Sequence, residues 1–460
     1  MFQADLILPI ENQVRELDAK LLLACTAAQR GYSVIIGWKS DIEQGIYRFR
    51  SGSLYLAKSF APVNLKMLRI LKELGHYVIA WDEEGLVHYP PDIYFGRRFS
   101  GDVLPYVDRI IAWGEDNAQL LRQYQSPFPL PIHVLGNPRG DLLRSELRPF
   151  FESAVKDLID QHGHYILVNT NFPSVNCFDP ALNTCYEDIN APEGLGLGRG
   201  SRGMPEDFAR GRYSHLKLLF EKFKELLPWL AETYPNHSIV LRPHPSENQD
   251  LWKQEADRYP NIIIKATGNV IPWILGSAVL IHNGCTTAVE AFAMDKPVIS
   301  YEPYQNERYD NHLPTDLSKC CTTYEQIKIS IDQYLKNPTP HPSEFQRLQL
   351  TRFLAATDGA LASERITDLI DSMQEDSSLS QPTPSSRMKT LGQAMVRHAR
   401  KKIKRIRGNL QYSKAFQQQR FPDLNQVDLN QKVRDFNHLL KFSKPVKLDP
   451  LKTNIIRITT

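Results

Sequence analysis

The sequence has few cysteines, no long apolar run and no leader-like start. Its six cysteines include no Cys-x-x-Cys pair and no histidine partners at zinc-finger spacing, which argues against a disulfide framework or a structural metal site. No apolar run approaches the roughly 20 residues that a membrane helix needs, and no basic stretch followed by an apolar one opens the chain. We therefore expect a cytoplasmic protein with reduced thiols, no metal and no cofactor.

Charge is distributed unevenly along the 460 residues. Residues 375–460 hold 18 Lys and Arg against 6 Asp and Glu, whereas residues 1–374 hold 37 against 46. A body of net negative charge is not suited to following nucleic acid, so no nucleic-acid partner is expected. A charged partner is expected at the tail instead.

Short apolar runs alternate with helical patterns over most of the chain. The alternation begins with the run 6–10 and a helical pattern over 14–30, and it restarts at 165–169 after a break near 136–139. Such alternation predicts parallel sheets covered by helices. The expected fold is α/β, with two Rossmann-like doubly wound domains and a basic helical C-terminal tail. The expected bounds are 1–150, 151–374 and, for linker and tail, 375–460.

The clearest ligand-binding pattern is an apolar strand that runs through a turn into a helix. Asn283 and Gly284 form the turn, and Thr286 and Thr287 open the helix. Backbone N–H groups and two hydroxyls then converge, which suits a phosphate group. Glu290, one turn further, is placed to accept hydrogen bonds from ribose hydroxyls. The alternative is an ordinary helix cap at Thr286 with a solvated glutamate.

Two further strand ends of the same domain carry polar residues. Arg242 and His244 alternate with prolines that stiffen the backbone, an arrangement that suits a diphosphate or the carboxylate of an acidic sugar. Asn169 and Asn171 end an earlier strand and are able to bind hydroxyls. A proline-rich turn with an exposed histidine, and asparagines that satisfy local turns, are the structural alternatives.

The motif Arg-Pro-His-Pro at 242–245, the strand–turn–helix and Lys-Pro-Val at 296–298 together resemble a known nucleotide-binding domain. UDP-N-acetylglucosamine 2-epimerases, CDP-glycerol glycerophosphotransferases and capsule 3-deoxy-manno-octulosonate transferases share that domain. Residues 136–141 also resemble the end of the N-terminal domain of those proteins. Bacterial surface carbohydrate biosynthesis proteins are the most similar family, through the segments 16–20, 82–85 and 168–171. The relatives place Ser-Ser or Ser-Gly-Gly about one residue nearer the strand end than Thr286 and Thr287.

The resemblance covers roughly residues 1–370 and implies a GT-B architecture. It places the donor nucleotide on the C-terminal domain and the acceptor on the N-terminal one.

An acidic turn follows a strand of the N-terminal domain. Asp82, Glu83 and Glu84 lie at a strand's carboxyl end, where a general base for an acceptor hydroxyl would be expected. The alternative is a solvated turn in which Gly85 supplies a positive φ. Asp18 and Lys20 lie near the same edge, where an ion pair is as reasonable as a substrate contact.

These patterns lead us to expect a metal-independent glycosyltransferase of surface polysaccharide synthesis, of the kind that builds capsule or lipopolysaccharide. The donor would be a nucleotide-sugar and the acceptor a polysaccharide or a lipid-linked sugar. A nucleotide-sugar 2-epimerase, a CDP-polyol phosphotransferase and a non-catalytic nucleotide-sugar-binding protein remain alternatives.

Two other segments carry distinctive patterns. Residues 387–407 place apolar side chains at helical spacing among basic ones, which predicts a peripheral helix on the anionic inner membrane surface, with docking on the protein body or a solvated arm as alternatives. The glycine-rich stretch 194–203 is neither preceded by a strand nor followed directly by a helix, so it does not match a phosphate loop. We expect a mobile lid there.

Overall fold

The computed structural model describes residues 5–128, 131–375, 390–396 and 421–460, which divide into two compact units. Unit 1 comprises residues 1–86, 98–150 and 352–460, and unit 2 comprises residues 87–97 and 151–351. Each unit is built on a sheet of mainly parallel strands flanked by helices. The two doubly wound α/β sheets expected from the alternating pattern are thus confirmed.

The sheet of unit 1 has the strand order β15-β16-β2-β1-β3-β4-β5-β6. Strands β1 to β6 pair in parallel. Strands β15 and β16 form an antiparallel hairpin, and β16 pairs antiparallel with β2. Because β2 and β3 flank β1 on opposite sides, the chain reverses its winding direction at β1. The strands are β1 Leu6–Ile10, β2 Val34–Trp38, β3 Leu54–Ala57, β4 Tyr77–Ala80, β5 Arg109–Ala112, β6 Ile132–Val134, β15 Lys447–Lys452 and β16 Ile455–Thr459.

Helix α1 of unit 1 is buried from residue 16 to residue 28 because helices pack on it from several sides. Its partners include α6, α15 and α16, so segments that are distant in sequence pack against the same helix. The helices of unit 1 include α1 Gln13–Gln29, α2 Lys39–Gln44, α3 Leu65–Glu73, α5 Glu115–Arg122, α6 Pro138–Asp141, α15 Ala362–Glu375 and α16 Gln426–Leu440.

The buried carboxylate of Asp141 explains why residues after 351 return to unit 1. It accepts hydrogen bonds from the backbone N–H groups of Ala362 (2.7 Å) and Ser363 (2.9 Å), and from the Ser363 hydroxyl (2.7 Å). A carboxylate at a helix N-terminus satisfies backbone donors that the helix itself leaves open. Asp141 therefore holds α15 in unit 1, although our sequence-based boundary placed residues 352–374 with the second domain.

The C-terminal tail is only partly helical. Helix α16 lies within it, but residues 447–459 form the β15–β16 hairpin, so the expectation of a helical tail is wrong there. Gly37 of β2 permits the contact, since a Cβ at this position would lie 2.2 Å from the Asn454 carbonyl oxygen. Of the predicted basic helix at 387–407, residues 387–389 and 397–407 lie outside the described residues. Within 390–396, which is helical, the Thr390 hydroxyl donates to Glu73 at 2.6 Å.

The main sheet of unit 2 has the order β11-β10-β7-β12-β13-β14 and is parallel throughout. The winding direction reverses at β7, which β10 and β12 flank. The strands are β7 Ile166–Asn169, β10 Ile239–Arg242, β11 Ile262–Ile264, β12 Val279–His282, β13 Val298–Tyr301 and β14 Lys319–Cys321, and a separate hairpin joins β8 Cys185–Glu187 to β9 Leu195–Leu197.

The helices of unit 2 surround a core of aliphatic and aromatic side chains that includes Phe172, Phe223 and Trp252. They are α4 Pro91–Arg97, α7 Glu152–His162, α8 Glu206–Thr233, α9 Asp250–Ala256, α10 Val270–Gly276, α11 Thr286–Ala293, α12 His312–Asp316 and α13 Tyr324–Lys336, with α14 Glu344–Phe353 at the boundary of the two units. Among the helices that the structure describes, none combines the length and the apolarity needed to cross a bilayer.

Candidate functional site

Three polar residues form one row at the carboxyl ends of the unit 2 strands. Asn169 on β7 pairs in register with Arg242 on β10 and with His282 on β12. Residues in register on parallel strands project to the same face of the sheet. Since β7 is also where the winding reverses, the row lies at the position where doubly wound sheets bind ligands.

Arg242 is used within the protein itself. Its two terminal nitrogens donate to the backbone carbonyls of Thr267 and Gly268, each at 2.9 Å, and the guanidinium stacks on the Trp273 ring. Burial lowers the pKa of Arg242 to about 10, so the side chain stays charged at neutral pH. The predicted phosphate residue therefore also orders the loop at 267–268.

The turn after β10 is held by a glutamate that our sequence reasoning missed. Buried Glu247 accepts hydrogen bonds from the backbone N–H groups of Phe172 (3.0 Å) and His244 (3.1 Å), and from the side chains of Thr170 and Trp252. Burial raises its pKa although several groups donate to it. The acid joins the segments after β7 and β10, and it leaves the partly exposed ring of His244 at their edge.

An asparagine pair bridges the segments after β7 and β12. The side-chain oxygen of Asn283 accepts from the Asn171 N–H at 2.7 Å, and its nitrogen donates to the Asn171 carbonyl at 3.4 Å. Gly284 follows with φ +77°, a conformation that glycine adopts without strain. Its carbonyl accepts from the Asn311 side chain at 2.6 Å. The structure thus brings together two of the predicted asparagines and the predicted glycine.

The fully buried ring of His282 positions this turn. The Gly284 N–H donates to Nδ1 (2.9 Å), so the proton resides on Nε2, which donates to the Ser318 hydroxyl (2.8 Å), and Ser318 donates to the Pro314 carbonyl (2.6 Å). Burial lowers the pKa of His282 to about 3. The ring is neutral at pH 7 and has a structural role.

Helix α11 begins directly after the turn, and no side chain caps its N-terminus. The capping position is occupied by Cys285, whose sulfur lies 2.6 Å from the Thr287 hydroxyl, and not by Thr286. Burial raises the pKa of the Cys285 thiol to about 11, which makes it unreactive. Glu290 is buried in the same helix.

A pocket opens beside this turn, entirely within unit 2. It is lined by residues from five neighbouring segments: Asn171, Arg212, Leu216, Leu219, Asn283, Gly284, Tyr301, Glu302, Tyr309, Asp310, Asn311 and Thr315. Our sequence reasoning found only Asn171, Asn283 and Gly284 among them. Helix α8, which begins at Glu206, carries Arg212 to the pocket.

The two carboxylates of the pocket already have donors. Glu302 accepts from the hydroxyls of Ser300 and Thr315, each at 2.5 Å. Asp310 lies 2.6 Å from Nε2 of His215 and accepts from the Asn306 N–H at 2.6 Å. These acids shape the wall through bonds to the protein.

The acidic turn of unit 1 is tied into ion pairs. Asp82 is buried and accepts from Nη2 of Arg98 at 2.5 Å. Glu83 is buried as well, and it accepts from the Trp81 indole at 2.7 Å. Glu84 is half exposed and lies 2.8 Å from Arg98. Of the three predicted carboxylates, Glu84 is the one that solvent reaches.

Gly85 in this turn does not have the positive φ that the alternative interpretation of the turn assumed. It is needed because a Cβ would lie 3.1 Å from both the Asp82 carbonyl oxygen and Cδ1 of Trp113. Crowding, and not backbone conformation, favours glycine at this position.

A buried ion cluster fills the end of the unit 1 sheet between β1 and β3. Lys20 donates to Glu16 at 2.8 Å and to the Pro9 carbonyl at 2.6 Å, and it lies 3.6 Å from Glu83. Lys58 donates to Glu16 at 2.5 Å. Lys20 does not pair with Asp18, which binds Lys432 of α16 at 2.7 Å.

No family model and no curated protein matches the sequence. Among solved structures, the chain is similar to the Methanocaldococcus jannaschii UDP-GlcNAc 2-epimerase in complex with UDP-GlcNAc and UDP, at 12% identity and a TM-score of 0.48 over 80% of this chain and 99% of that one. It is similar to the wall teichoic acid polymerase TagF at 13% and 0.47, over 82% and 90%. It is also similar to S. aureus MnaA with UDP at 11% and 0.47, over 81% and 97%.

The fold and the site define a protein of two doubly wound α/β units with a polar pocket at the strand ends of unit 2. UDP-GlcNAc 2-epimerases are among the groups that the sequence motifs resemble.

Proposed function

We propose that the chain is a transferase that takes a sugar from a nucleotide-sugar donor bound by unit 2. The observation that carries the proposal is the pocket at the point where the unit 2 sheet reverses its winding. Neutral amides from Asn171, Asn283 and Asn311 line it, next to the uncapped start of α11. Amides bind hydroxyls without charge, and an open helix start favours an anion.

The acceptor of the proposed reaction is a surface polysaccharide or a lipid-linked sugar. Glu84 is the general base that we propose, because Asp82 and Glu83 are buried in bonds to Arg98 and Trp81. A base must reach the proton that it removes, and exposure gives Glu84 that access.

Ligand binding and product analysis test the proposal. A nucleotide-sugar bound only by the folded state raises the free energy of unfolding by about 2.7 kcal/mol at 100 times its dissociation constant. We expect one family among UDP-, CDP- and CMP-sugars to raise the melting temperature of unit 2, and turnover of that donor to persist in excess chelator. Absence of any shift across the panel would contradict the donor site.

The variant Glu84→Gln separates a transferase from a binding protein. We expect it to lose about 100-fold or more in turnover with donor affinity unchanged, as removal of a general base does. Glu115→Gln is the matched control, because Glu115 is a similarly exposed carboxylate of unit 1, paired with Arg122 at 2.6 Å. Donor epimerised without transfer would instead identify a 2-epimerase.

A further inference from the structure

Arg212 lies on the second turn of α8 and lines the unit 2 pocket. It is 7% exposed. One terminal nitrogen donates to the Ser174 hydroxyl at 3.1 Å, and the guanidinium stacks on the Tyr89 ring. A guanidinium has five N–H donors, so most of its hydrogen-bonding capacity is not used by these contacts.

Arg210, two residues earlier on the same helix, shows what a charge-balanced arginine looks like here. It is equally buried at 7%, yet it binds the Glu206 carboxylate through two nitrogens at 3.0 and 2.6 Å and the Pro192 carbonyl at 2.9 Å. Among the described residues, no carboxylate lies within 4 Å of the Arg212 nitrogens. A buried charge without a counter-ion costs free energy that the fold must supply.

The surroundings of Arg212 do not offer it a carboxylate from the pocket wall. Glu302 is held by Ser300 and Thr315, and Asp310 by His215 and the Asn306 backbone. The other polar groups of the wall are neutral amides and hydroxyls, which bring no negative charge. An oxyanion from outside the chain is the group that would balance Arg212.

We propose that Arg212 binds a phosphate group of the ligand that occupies this pocket. That the phosphate belongs to a nucleotide rests on the proposed function. The planar fork of a guanidinium matches two phosphate oxygens and gives short charge-assisted hydrogen bonds. Tyr89 and Ser174 fix the plane of the fork before the ligand arrives. Arg242, whose terminal nitrogens serve backbone carbonyls, then acts as a positioning residue for the neighbouring loop.

The test measures the binding of defined probes to the full-length protein by calorimetry. UDP, CDP, inorganic pyrophosphate, uridine and cytidine are titrated into the wild type, Arg212→Gln and the matched control Arg210→Gln. We expect Arg212→Gln to weaken the favoured diphosphate by about 10- to 100-fold, the loss of a hydrogen-bonded charge pair, and to leave the nucleoside unchanged. Arg210→Gln should bind both probes as the wild type does. Glucuronate, a carboxylate without phosphate, is expected to show no dependence on Arg212.

A second measurement needs no ligand. Because Arg212 has no carboxylate partner, Arg212→Gln should melt at or above the temperature of the wild type. Arg210→Gln loses the hydrogen bonds to Glu206 and to the Pro192 carbonyl and should melt lower. A large fall in the melting temperature of Arg212→Gln alone would give the residue a structural role and overturn the proposal.

The outcomes separate the inference from the proposed function. If the wild type binds UDP or CDP and Arg212→Gln binds it equally well, the inference fails while the donor site stands. If the wild type binds pyrophosphate through Arg212 but no nucleotide, the inference stands and the nucleotide-sugar function fails. If none of the probes binds the wild type, both are wrong.

Discussion

The sheets of both units reverse their winding direction at an interior strand, but different kinds of side chain occupy that position in the two units. Unit 1 reverses its winding between β1 and β3 and closes that position with Glu16, Lys20 and Lys58, which bind one another. Unit 2 reverses between β7 and β12 and lines that position with neutral asparagines and with Arg212, which pairs with no carboxylate among the described residues. Buried charges that pair with one another need no group from outside the chain, whereas a buried charge without a counter-ion favours a ligand of opposite charge.

The ion cluster of unit 1 shows the strength of mutual pairing in its pKa values. Burial alone raises the pKa of Glu16, but the charges and hydrogen bonds of Lys20 and Lys58 outweigh burial and hold it far below its usual range. Burial likewise lowers the pKa of Lys58, and Glu16, Glu11 and Glu83 together raise it above the usual range. Glu16 and Lys58 are thus held in their charged forms by the opposite charges around them.

The largest effect that we expect comes from breaking this cluster. Lys20→Met removes a side chain that is 2% exposed and leaves Glu16 and Glu83 with one partner fewer. Removal of one member of a buried ion pair costs about 3–5 kcal/mol. Urea titration monitored by hydrogen exchange of unit 1 peptides measures the loss, while unit 2 peptides should be unaffected.

The exposed Arg69, which pairs with Glu73 on α3, provides the control for Lys20. Arg69→Met should not measurably change the exchange of unit 1, because solvent screens such pairs. The double variant Lys20→Met with Glu83→Gln should recover part of the loss. A cost for Lys20→Met as small as that of Arg69→Met would show that the cluster is not a structural element and would remove the contrast between the units.

The sequence predicted those parts of the fold that depend on local pattern. Strand β1 coincides with the apolar run at 6–10, and the helix after β12 begins at Thr286 as expected, because apolar periodicity determines such elements directly. The strand β3 was not predicted. The C-terminal hairpin was missed because its edge strand contains Pro450 and is mostly exposed.

The site was predicted only where its residues follow a strand directly. Asn171, Asn283 and Gly284 could be found in this way. Arg212 could not, because it directly follows Gly211, which weakens a helical pattern. The Tyr309 ring favours glycine at 211, since its hydroxyl would lie 2.0 Å from a Cβ there. The partner of Asp141 lies 222 residues further along the chain, which no local pattern reveals.

A buried base in unit 2 provides the next test of the comparison. The folded-state pKa of His282, about 3, is far below its usual value of 6.5, so the neutral ring contributes stability that is present above pH 6.5 and is lost as the pH falls toward 3. Between about pH 7 and pH 4 this linkage removes on the order of 3 kcal/mol from the stability of unit 2. His282→Asn retains an acceptor for the Gly284 N–H and has no titrating ring. Hydrogen exchange of β7 and β12 peptides should therefore lose most of its acid sensitivity in the variant. If the acid sensitivity is unchanged, groups other than His282 cause it.

A buried acid in unit 1 is expected to give a smaller effect of opposite sign. Burial raises the pKa of Asp141 from 3.8 to about 6, although hydrogen bonds from Ser363 and Ala362 and the charge of Arg144 oppose the rise. The protonated acid is favoured by folding, so its contribution is complete below pH 3.8 and is lost as the pH rises through about 6. The linkage amounts to about 2 kcal/mol between roughly pH 4 and pH 7. Asp141→Asn has a nearly identical shape and no charge, so exchange at the start of α15 should lose this dependence on pH, whereas unit 2 should retain its own. If the exchange of α15 instead became slower as the pH rose from 4 to 6 in the wild type, after correction for the intrinsic exchange rate, the helix N-terminus would stabilise the carboxylate more than burial destabilises it.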